Sequence, residues 1–321
     1  MTSIATTTVQ DDQVQAARRQ LLVASAALLV AGALLGVSTN LVKVAISIGL
    51  APLPYLTWSL AGATFLLTAI STMRGQTPRL NGRSLEYFVV AAFLSVAGSN
   101  LIFFNAVPHV GVSFVALTIS LPPLLTYVGA LMLGMESFCW WRASGVVLAL
   151  VGTGVLVAAQ WTTPDTNHFW IILTLIGPVL LAAGNIYRSH RWPPGASAES
   201  LAPGMLLAAT ALLVLISVIT PGWILGISTG NTYALPLIGV QAVVFAAQFL
   251  LLFVLQKAGG PVFLSLMGAV SAVIGVPIAM MLLAEPALPA LLPSVALIAA
   301  GIASMVIGVR ACQPITAKKG R

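Results

Sequence analysis

Long apolar runs separated by short polar segments make up almost the whole sequence. Ten of these runs are long enough for a transmembrane helix, which needs about 20 mostly apolar residues. We therefore predict an all-α fold: a polytopic membrane protein with ten transmembrane helices. The predicted spans are Leu21 to Ile46, Leu53 to Met73, Leu85 to Val107, Val110 to Leu133, Phe138 to Ala159, Phe169 to Tyr187, Leu201 to Ile219, Tyr233 to Leu255, Pro261 to Ala284 and Leu288 to Val309.

The third and fourth spans recur as the eighth and ninth. A shift of 149 residues places Ala91 to Glu136 on Val240 to Glu285 without a gap. Each copy contains two apolar helices, a short link with a glycine, and a terminal glutamate. The identical pairs include Phe104 with Phe253, Gly111 with Gly260, and Glu136 with Glu285.

The repeat divides the chain into four segments. Residues 1–20 form a cytoplasmic N-terminal tail, 21–160 the first five-helix repeat, 161–310 the second five-helix repeat, and 311–321 a cytoplasmic C-terminal tail. Because five is an odd number, the two repeats enter the membrane in opposite orientations. Inverted repeats of this kind place a binding site near the middle of the bilayer.

Composition and charge agree with a membrane protein, since 59% of the residues are hydrophobic and 7% are charged. If the N-terminus is cytoplasmic, every Lys and Arg except Lys43 falls on the cytoplasmic side, Arg188 included. We therefore predict a multi-pass protein of the cell (plasma or inner) membrane with both termini in the cytoplasm. The net charge of +7 then requires no nucleic-acid partner. Cys139 and Cys312 also fall on this side, where thiols stay reduced, so no disulfide is expected.

Polar and aromatic side chains within the spans are candidates for a substrate site. Lys43 either extends its ammonium group to the outer headgroups or contacts a carboxylate at the outer mouth of a pathway. The asparagines of the third span either join helices or line a polar cavity. The candidate substrate-binding residues are Asn40, Lys43, Asn100, Phe104, Tyr127, Asn185, Phe245 and Gln248.

Prolines interrupt the fourth span and its counterpart. Pro122 and Pro123 lie in the middle of the fourth span, and Pro277 lies in the ninth. Proline removes a backbone donor and kinks a helix, so we predict that these three residues act as hinges or gates. His, Asp, Glu and Ser residues do not group at one depth of the membrane. We therefore predict that the protein is not an enzyme and has no catalytic residues, metal site or cofactor.

The order and spacing of these motifs resemble the drug/metabolite transporter superfamily, specifically its ten-helix EamA-type permeases. The motifs that carry the resemblance are Leu133-Gly134-Met135-Glu136 followed by Gly145 to Gly152, their repetition as Leu283-Ala284-Glu285 and Gly301, and the first-span run that ends in Lys43. The resemblance covers about residues 21–310. It implies a central cavity bounded by the first, third, fourth, sixth, eighth and ninth helices. Among such permeases, the chain looks most like exporters of amino acids, including aromatic ones.

We therefore predict a monomeric exporter or permease of small metabolites, with amino acids as substrates, that works by alternating access within the membrane lipid. The deep parts of the spans lack Asp and Glu, which favours facilitated movement, because carboxylates often couple transport to protons. A neutral, partly aromatic chamber suits a small zwitterion that makes few ionic contacts. Three alternatives stay open: a proton-coupled drug or metabolite antiporter, a channel, and a lipid-handling membrane protein.

Overall fold

The computed structural model describes residues 2–77, 82–162, 167–219, 232–285 and 290–311. Within these ranges, side chains are described except at residues 2–22, 24, 258–263, 265 and 309–311. The predicted C-terminal tail therefore lies, apart from residue 311, outside the described residues. The predicted N-terminal tail is described, from residue 2, as backbone alone.

The secondary structure of the described residues is helical, with short turns and connections between the helices, and these residues contain no strand. The helices are α1 (Thr2–Ser47), α2 (Pro52–Met73), α3 (Gly82–Ala92), α4 (Gly98–Val110), α5 (Val112–Thr118), α6 (Pro122–Met132), α7 (Trp140–Trp161), α8 (His168–His190), α9 (Ala198–Ile219), α10 (Ala234–Ser265), α11 (Met267–Leu282) and α12 (Leu291–Ala311). A π-helical turn, Phe93–Ala97, joins α3 to α4. Helical structure continues through residue 260 in α10, where the repeat predicts a link.

The described helices are long and apolar enough to form a polytopic membrane protein. Nine helical segments of the described ranges have the length and hydropathy of a membrane span, and the apolar helix α11 is shorter. Together these ten segments correspond to the ten predicted spans. We call the end of the bundle where α2, α6 and α8 terminate the inner end, and the opposite end the outer end.

The two halves are inverted relative to each other. Glu285, which follows α11, lies against the first residues of α5. Glu136 lies in the turn that follows α6. Because α5 and α6 together form the fourth span, the two equivalent glutamates lie at its opposite ends. The equivalent helices of the two repeats therefore run in opposite directions, as the odd number of spans predicts.

Packing partners exchange between the repeats. Helix α1 packs on α10 and α11, whereas its counterpart α8 packs on α4 and α6. Helix α2 packs on α10, and its counterpart α9 packs on α3. Two further pairs, α2 with α9 and α7 with α12, join counterparts directly. This pattern is that of a pseudo-twofold axis relating two groups of helices: the first group is α1, α10 and α11, and the second group is α8, α4, α5 and α6.

Glycines allow α7 and α12 to pack closely. A methyl group on Gly145 would lie 2.5 Å from the carbonyl oxygen of Gly301, and one on Gly301 would lie 2.6 Å from that of Gly145. The hydroxyls of Ser144 and Ser304 lie 3.0 Å apart across the same contact. Small residues of this kind let helix backbones approach in a membrane, where the hydrophobic effect does not drive helices together.

Leucine at position 301 is expected to separate α7 from α12 and to destabilise the protein by roughly 2 kcal/mol, the usual scale of overpacking. Thermal unfolding in detergent measures the change. Gly154→Leu is the control, because Gly154 lies on α7 and a methyl group added there would have no atom within 4 Å. Equal unfolding temperatures for the two variants would contradict the glycine contact.

The expectation of reduced cysteines is wrong for Cys139, which is disulfide-bonded. The sequence holds one other cysteine, Cys312, which lies outside the described residues. Cys139 immediately precedes α7, and Cys312 immediately follows α12 in sequence. The Cys139 sulfur lies 3.9 Å from the carbonyl oxygen of Gly308, near the end of α12, so the start of α7 and the end of α12 lie at the same end of the bundle. The prediction of reduced cysteines considered the cellular compartment alone.

A buried polar chamber and its outer clamp

An aromatic stack crosses the interior between the two repeats. The ring of Phe104 lies 6.1 Å from that of Tyr55 and 6.2 Å from that of Phe245. Phe249 continues the row, 5.8 Å from Phe245. All four side chains are buried. The Tyr55 hydroxyl donates to the side-chain oxygen of Gln241 at 3.2 Å, so the stack ends on a neutral polar group. Two of the three predicted aromatic site residues, Phe104 and Phe245, thus lie together.

Two helix breaks meet in the middle of the bundle. Helix α5 ends at Thr118 and α6 begins at Pro122, while α10 and α11 are separated at Leu266. A methyl group on Gly268 would clash with the carbonyl oxygen of Ile119. The backbone between α5 and α6 is therefore in direct contact with the first turn of α11. Interrupted helices of this type line binding sites in transporters.

The predicted hinge prolines occupy two different positions relative to these breaks. Pro122 and Pro123 are the first residues of α6, where proline's missing donor costs nothing. They begin a new helix instead of kinking a continuous one. Pro277 lies inside α11, which continues past it. The break between α10 and α11 precedes Pro277 by more than two helical turns. The fourth span is therefore interrupted at its prolines, whereas the ninth span is not.

Arg188 is the only Lys or Arg of the described side chains with no exposed surface. It belongs to the last turns of α8, where long side chains point back along the helix toward its N-terminus. Its Nε donates to the side-chain oxygen of Gln256 at 2.9 Å, and one Nη donates to that of Asn185 at 2.7 Å. The other Nη donates to the Ser95 hydroxyl. All three partners are neutral.

Local backbone structure brings these partners to Arg188. Ser95 lies on the π-helical turn, a feature that often occurs at functional sites. A methyl group on Gly184 would meet the Ser95 hydroxyl, so glycine lets α8 approach this turn. Asn185 lies three residues before Arg188 on the same helical face, and its amide lies 3.5 Å from the Thr126 hydroxyl. We call Ser95, Thr126, Asn185, Arg188 and Gln256 the polar cluster.

A cavity of about 40 Å³ adjoins the polar cluster. It lies between the first, third, fourth, sixth, eighth and ninth spans, the same six helices that the family resemblance implies. Its volume is close to that of one water molecule in the liquid, about 30 Å³. A whole metabolite would need the chamber to widen. The lining residues are Leu35, Ser95, Ile119, Pro122, Leu181, Asn185, Arg188, Leu252, Leu264, Met267 and Gly268.

Glu285 holds three elements together at the outer end. Its carboxylate lies 3.2 Å from the ammonium nitrogen of Lys43 on α1. It also accepts from the backbone N–H groups of Val112 at 3.2 Å and Ser113 at 3.1 Å. These are the first residues of α5, so the carboxylate caps a helix N-terminus, where negative charge is favoured. We call this arrangement, together with Gly111, the outer clamp.

Gly111 is required by the outer clamp for two reasons. Its φ is +82°, in the region that favours glycine. A methyl group there would clash with a Glu285 carboxylate oxygen. Glu285 thus caps a helix at the outer end, and Lys43 contacts a carboxylate of the protein itself.

The inner end is held differently. Glu136 pairs with Arg142 at 2.7 Å, only six residues away in the chain. The Arg142 guanidinium lies 5.4 Å from the ring centre of Tyr127, whose hydroxyl accepts from the backbone N–H of Cys139 at 2.8 Å. Tyr127 therefore supports the turn after α6, and it lies outside the set of residues that line the cavity.

The other predicted site residues are spread around the chamber. The Asn40 amide donates to the carbonyl oxygens of Gly36 at 2.8 Å and Gly275 at 3.0 Å, joining α1 to α11. Asn100 donates to the carbonyl oxygen of Val96 in its own helical segment at 2.8 Å. Gln248 is buried, and its side-chain oxygen has no hydrogen-bond partner among the described residues.

A larger cavity, of about 410 Å³, opens at the inner surface. It lies between the segment after α2 and the segment that joins α8 to α9, and it includes Gln76, Arg83 and Pro194. Most of its lining belongs to these connections between helices. Its position at the surface, away from the helix breaks, makes it a weaker candidate for a translocated substrate than the smaller central cavity.

The fold alone defines the class of the protein: a helical membrane protein built from two inverted halves around a small central cavity, which is mostly apolar and is bordered by the polar cluster. Residues 22–158 match the model of the EamA-like transporter family, so the first half of the chain carries an EamA-like transporter segment. This is consistent with an EamA-type permease of the drug/metabolite transporter superfamily. Members of the family are transporters rather than enzymes.

A solved structure described as "Crystal structure of protein" is similar over 90% of this chain and 99% of its own, with a TM-score of 0.65 and 18% identity. At that identity the likeness concerns the fold alone. No curated protein matches the chain.

Proposed function

We propose that this chain is a permease that moves small metabolites across the cell membrane by alternating access. The observation that carries the proposal is the exchange of packing partners between the two inverted halves. Two groups of helices related in this way can exchange conformations, so that one chamber opens first to one side and then to the other. We propose further that it acts as a monomer with both termini in the cytoplasm.

Contacts join the two groups of helices at both ends of the chamber. At the outer end, Glu285 and Lys43 of the first group hold the start of α5, which belongs to the second group. At the inner end, Arg188 on α8 bonds to Gln256 on α10. The small central cavity lies between these two layers of contact. An occluded intermediate of an alternating-access cycle has a cavity closed by contacts at both ends. Opening to one side would require the contacts at that end to separate.

Amino acids, including aromatic ones, fit the chemistry of the chamber. Apolar residues such as Leu35, Leu181 and Leu252 supply most of the cavity walls. The stack of Tyr55, Phe104 and Phe245 is buried elsewhere in the same bundle and does not line the cavity as it stands. The polar cluster supplies donors and acceptors within the same bundle. Binding sites for small molecules commonly combine predominantly apolar walls with a few placed polar groups. Facilitated movement is our first proposal, because the described residues that line the cavity include no carboxylate.

Uptake of labelled phenylalanine and threonine into proteoliposomes tests this function. We expect saturable uptake that unlabelled amino acids inhibit and that persists without a pH gradient. Protein-free liposomes are the control. Ion conductance in a planar bilayer would instead support a channel, and transfer of labelled phospholipid between leaflets would support a lipid-handling protein.

Proton-coupled antiport is the second candidate, and Glu285 favours it. This carboxylate is buried and ion-paired, and protonating it would remove the charge that holds Lys43 and α5. Under this alternative, uptake disappears when the pH gradient is removed, and Glu285→Gln uncouples transport from protons. Persistence of uptake without a gradient would remove this candidate.

A further inference from the structure

We infer that Arg188 binds the carboxylate of the transported substrate, so that the protein recognises acids and excludes their neutral amides. The inference deepens the proposed function and rests on it. It assigns the substrate class to molecules with a carboxylate group, amino acids among them.

The first step is that the charge of Arg188 has no counter-charge among the described side chains. Its side chain has no exposed surface. The three ion pairs of the described chain involve other residues, on Lys43, Arg74 and Arg142. A buried charge without a counter-ion carries a large desolvation penalty that neutral hydrogen-bond partners only partly offset. Such a charge is stabilised when an anion enters beside it.

The second step concerns the donors that remain. A guanidinium group has five N–H donors in a planar fork. Ser95, Asn185 and Gln256 accept three hydrogen bonds from Arg188. Two N–H groups are left for another acceptor, and a carboxylate matches the fork geometry. The same three neighbours fix the orientation of the fork before a ligand arrives.

The third step is position, because Arg188 lines the central cavity between the helix breaks. Pro122 at the start of α6, and Met267 and Gly268 at the start of α11, line the same cavity. The N-terminal ends of both helices therefore border it. A helix N-terminus carries a partial positive charge and favours anions. The buried guanidinium and these two helix ends together favour an anion at this side of the cavity.

Matched acids and amides provide the test. Thermal stabilisation of the detergent-purified protein is measured with phenylalanine against phenylalaninamide, threonine against threoninamide, and benzoate against benzamide. We expect at least one acid to bind, and its amide to bind at least about tenfold more weakly, the usual scale for losing a hydrogen bond to a charged group. Arg188→Gln is expected to abolish the difference, and Arg188→Lys to retain part of it.

Arg191→Gln is the matched control, because Arg191 lies three residues further on and is exposed. It is expected to leave the preference for acids unchanged. Amides that bind as well as acids to the unsubstituted protein would overturn the inference, even if Arg188→Gln fails to fold. Binding of no acid, or a preference that survives Arg188→Gln, would also overturn it.

Transport assays separate this inference from the proposed function. If an acid binds through Arg188 but is not moved into proteoliposomes, the permease proposal fails and the recognition site stands. If amides and acids are moved equally well, the permease proposal stands and the role of Arg188 fails.

Discussion

Alanine at position 268 is expected to reduce the free energy of unfolding by about 3 kcal/mol or more, at the upper end of overpacking effects. The added methyl group would clash with the carbonyl oxygen of Ile119. That oxygen belongs to the backbone between α5 and α6, so rotation of a side chain cannot relieve the contact. The two helix breaks would have to move apart, and the central cavity would change with them.

Thermal or denaturant unfolding of the purified protein measures this loss. Gly239→Ala is the control, since Gly239 lies in α10 with open space around it. Alanine there is expected to be neutral or to stabilise the helix by up to about 1 kcal/mol, because glycine is a poor helix former. If Gly268→Ala unfolds at the same temperature as the unsubstituted protein, the two breaks are not in contact.

Replacing Glu285 by alanine is expected to release the outer clamp. The change removes the partner of Lys43 and the acceptor for the N–H groups of Val112 and Ser113. We expect a loss of about 2 to 3 kcal/mol of stability, combining a helix cap with a mostly buried charged contact. A cysteine introduced at position 113, which is buried, should then react with an outside reagent about tenfold faster or more.

Glu199→Ala is the matched control for the clamp. Glu199 pairs with Arg74 at 2.5 Å, but both side chains are partly exposed, and exposed pairs contribute little to stability. Its removal is expected to change neither stability nor the reactivity at position 113. Equal reactivity in the Glu285 and Glu199 variants would show that the carboxylate of Glu285 does not hold the outer end closed.

The helical spans and their inverted arrangement follow from the sequence because both depend on long-range regularities. A span requires an apolar run of fixed length, which is visible without tertiary contacts. The offset of 149 residues relates Glu136 to Glu285, and an odd number of spans then fixes their opposite positions. Neither argument requires knowing which side chain touches which.

Arg188 shows what sequence reasoning misses. It lies near a helix end, three residues before Arg191, and charge patterning alone therefore groups it with the cytoplasmic charges. The two arginines differ in burial: Arg188 is fully buried and Arg191 is exposed. The spacing of Asn185 and Arg188 on one helical face is the signal that the sequence offers. That spacing indicates a polar site only once Ser95 and Gln256, which come from other helical segments, are known to bind Arg188.

Two other site features also depend on tertiary structure. Lys43 contacts the carboxylate of Glu285, which lies 242 residues away in the sequence. The sequence alone could not distinguish this contact from one with lipid headgroups. The prolines indicate an interruption in the fourth span, but its contact with the second break depends on Gly268, which has no side chain to mark it. The prolines therefore locate the break between α5 and α6. They cannot predict that this break contacts the one between α10 and α11.

The central claim is that two groups of helices open one chamber alternately to each side. Distances between pairs of spin labels test it, in a variant without the two native cysteines. One pair, Phe169 and Leu282, spans the two groups at the outer end, and the other, Met132 and Lys257, spans them at the inner end; all four positions are exposed.

We expect double electron–electron resonance to show the two distances changing in opposite directions when a transported substrate is added. One population should have a long outer and a short inner distance, and another should have the reverse. If both distances lengthen together, or if neither changes with any transported substrate, alternating access by exchange of the two groups is contradicted.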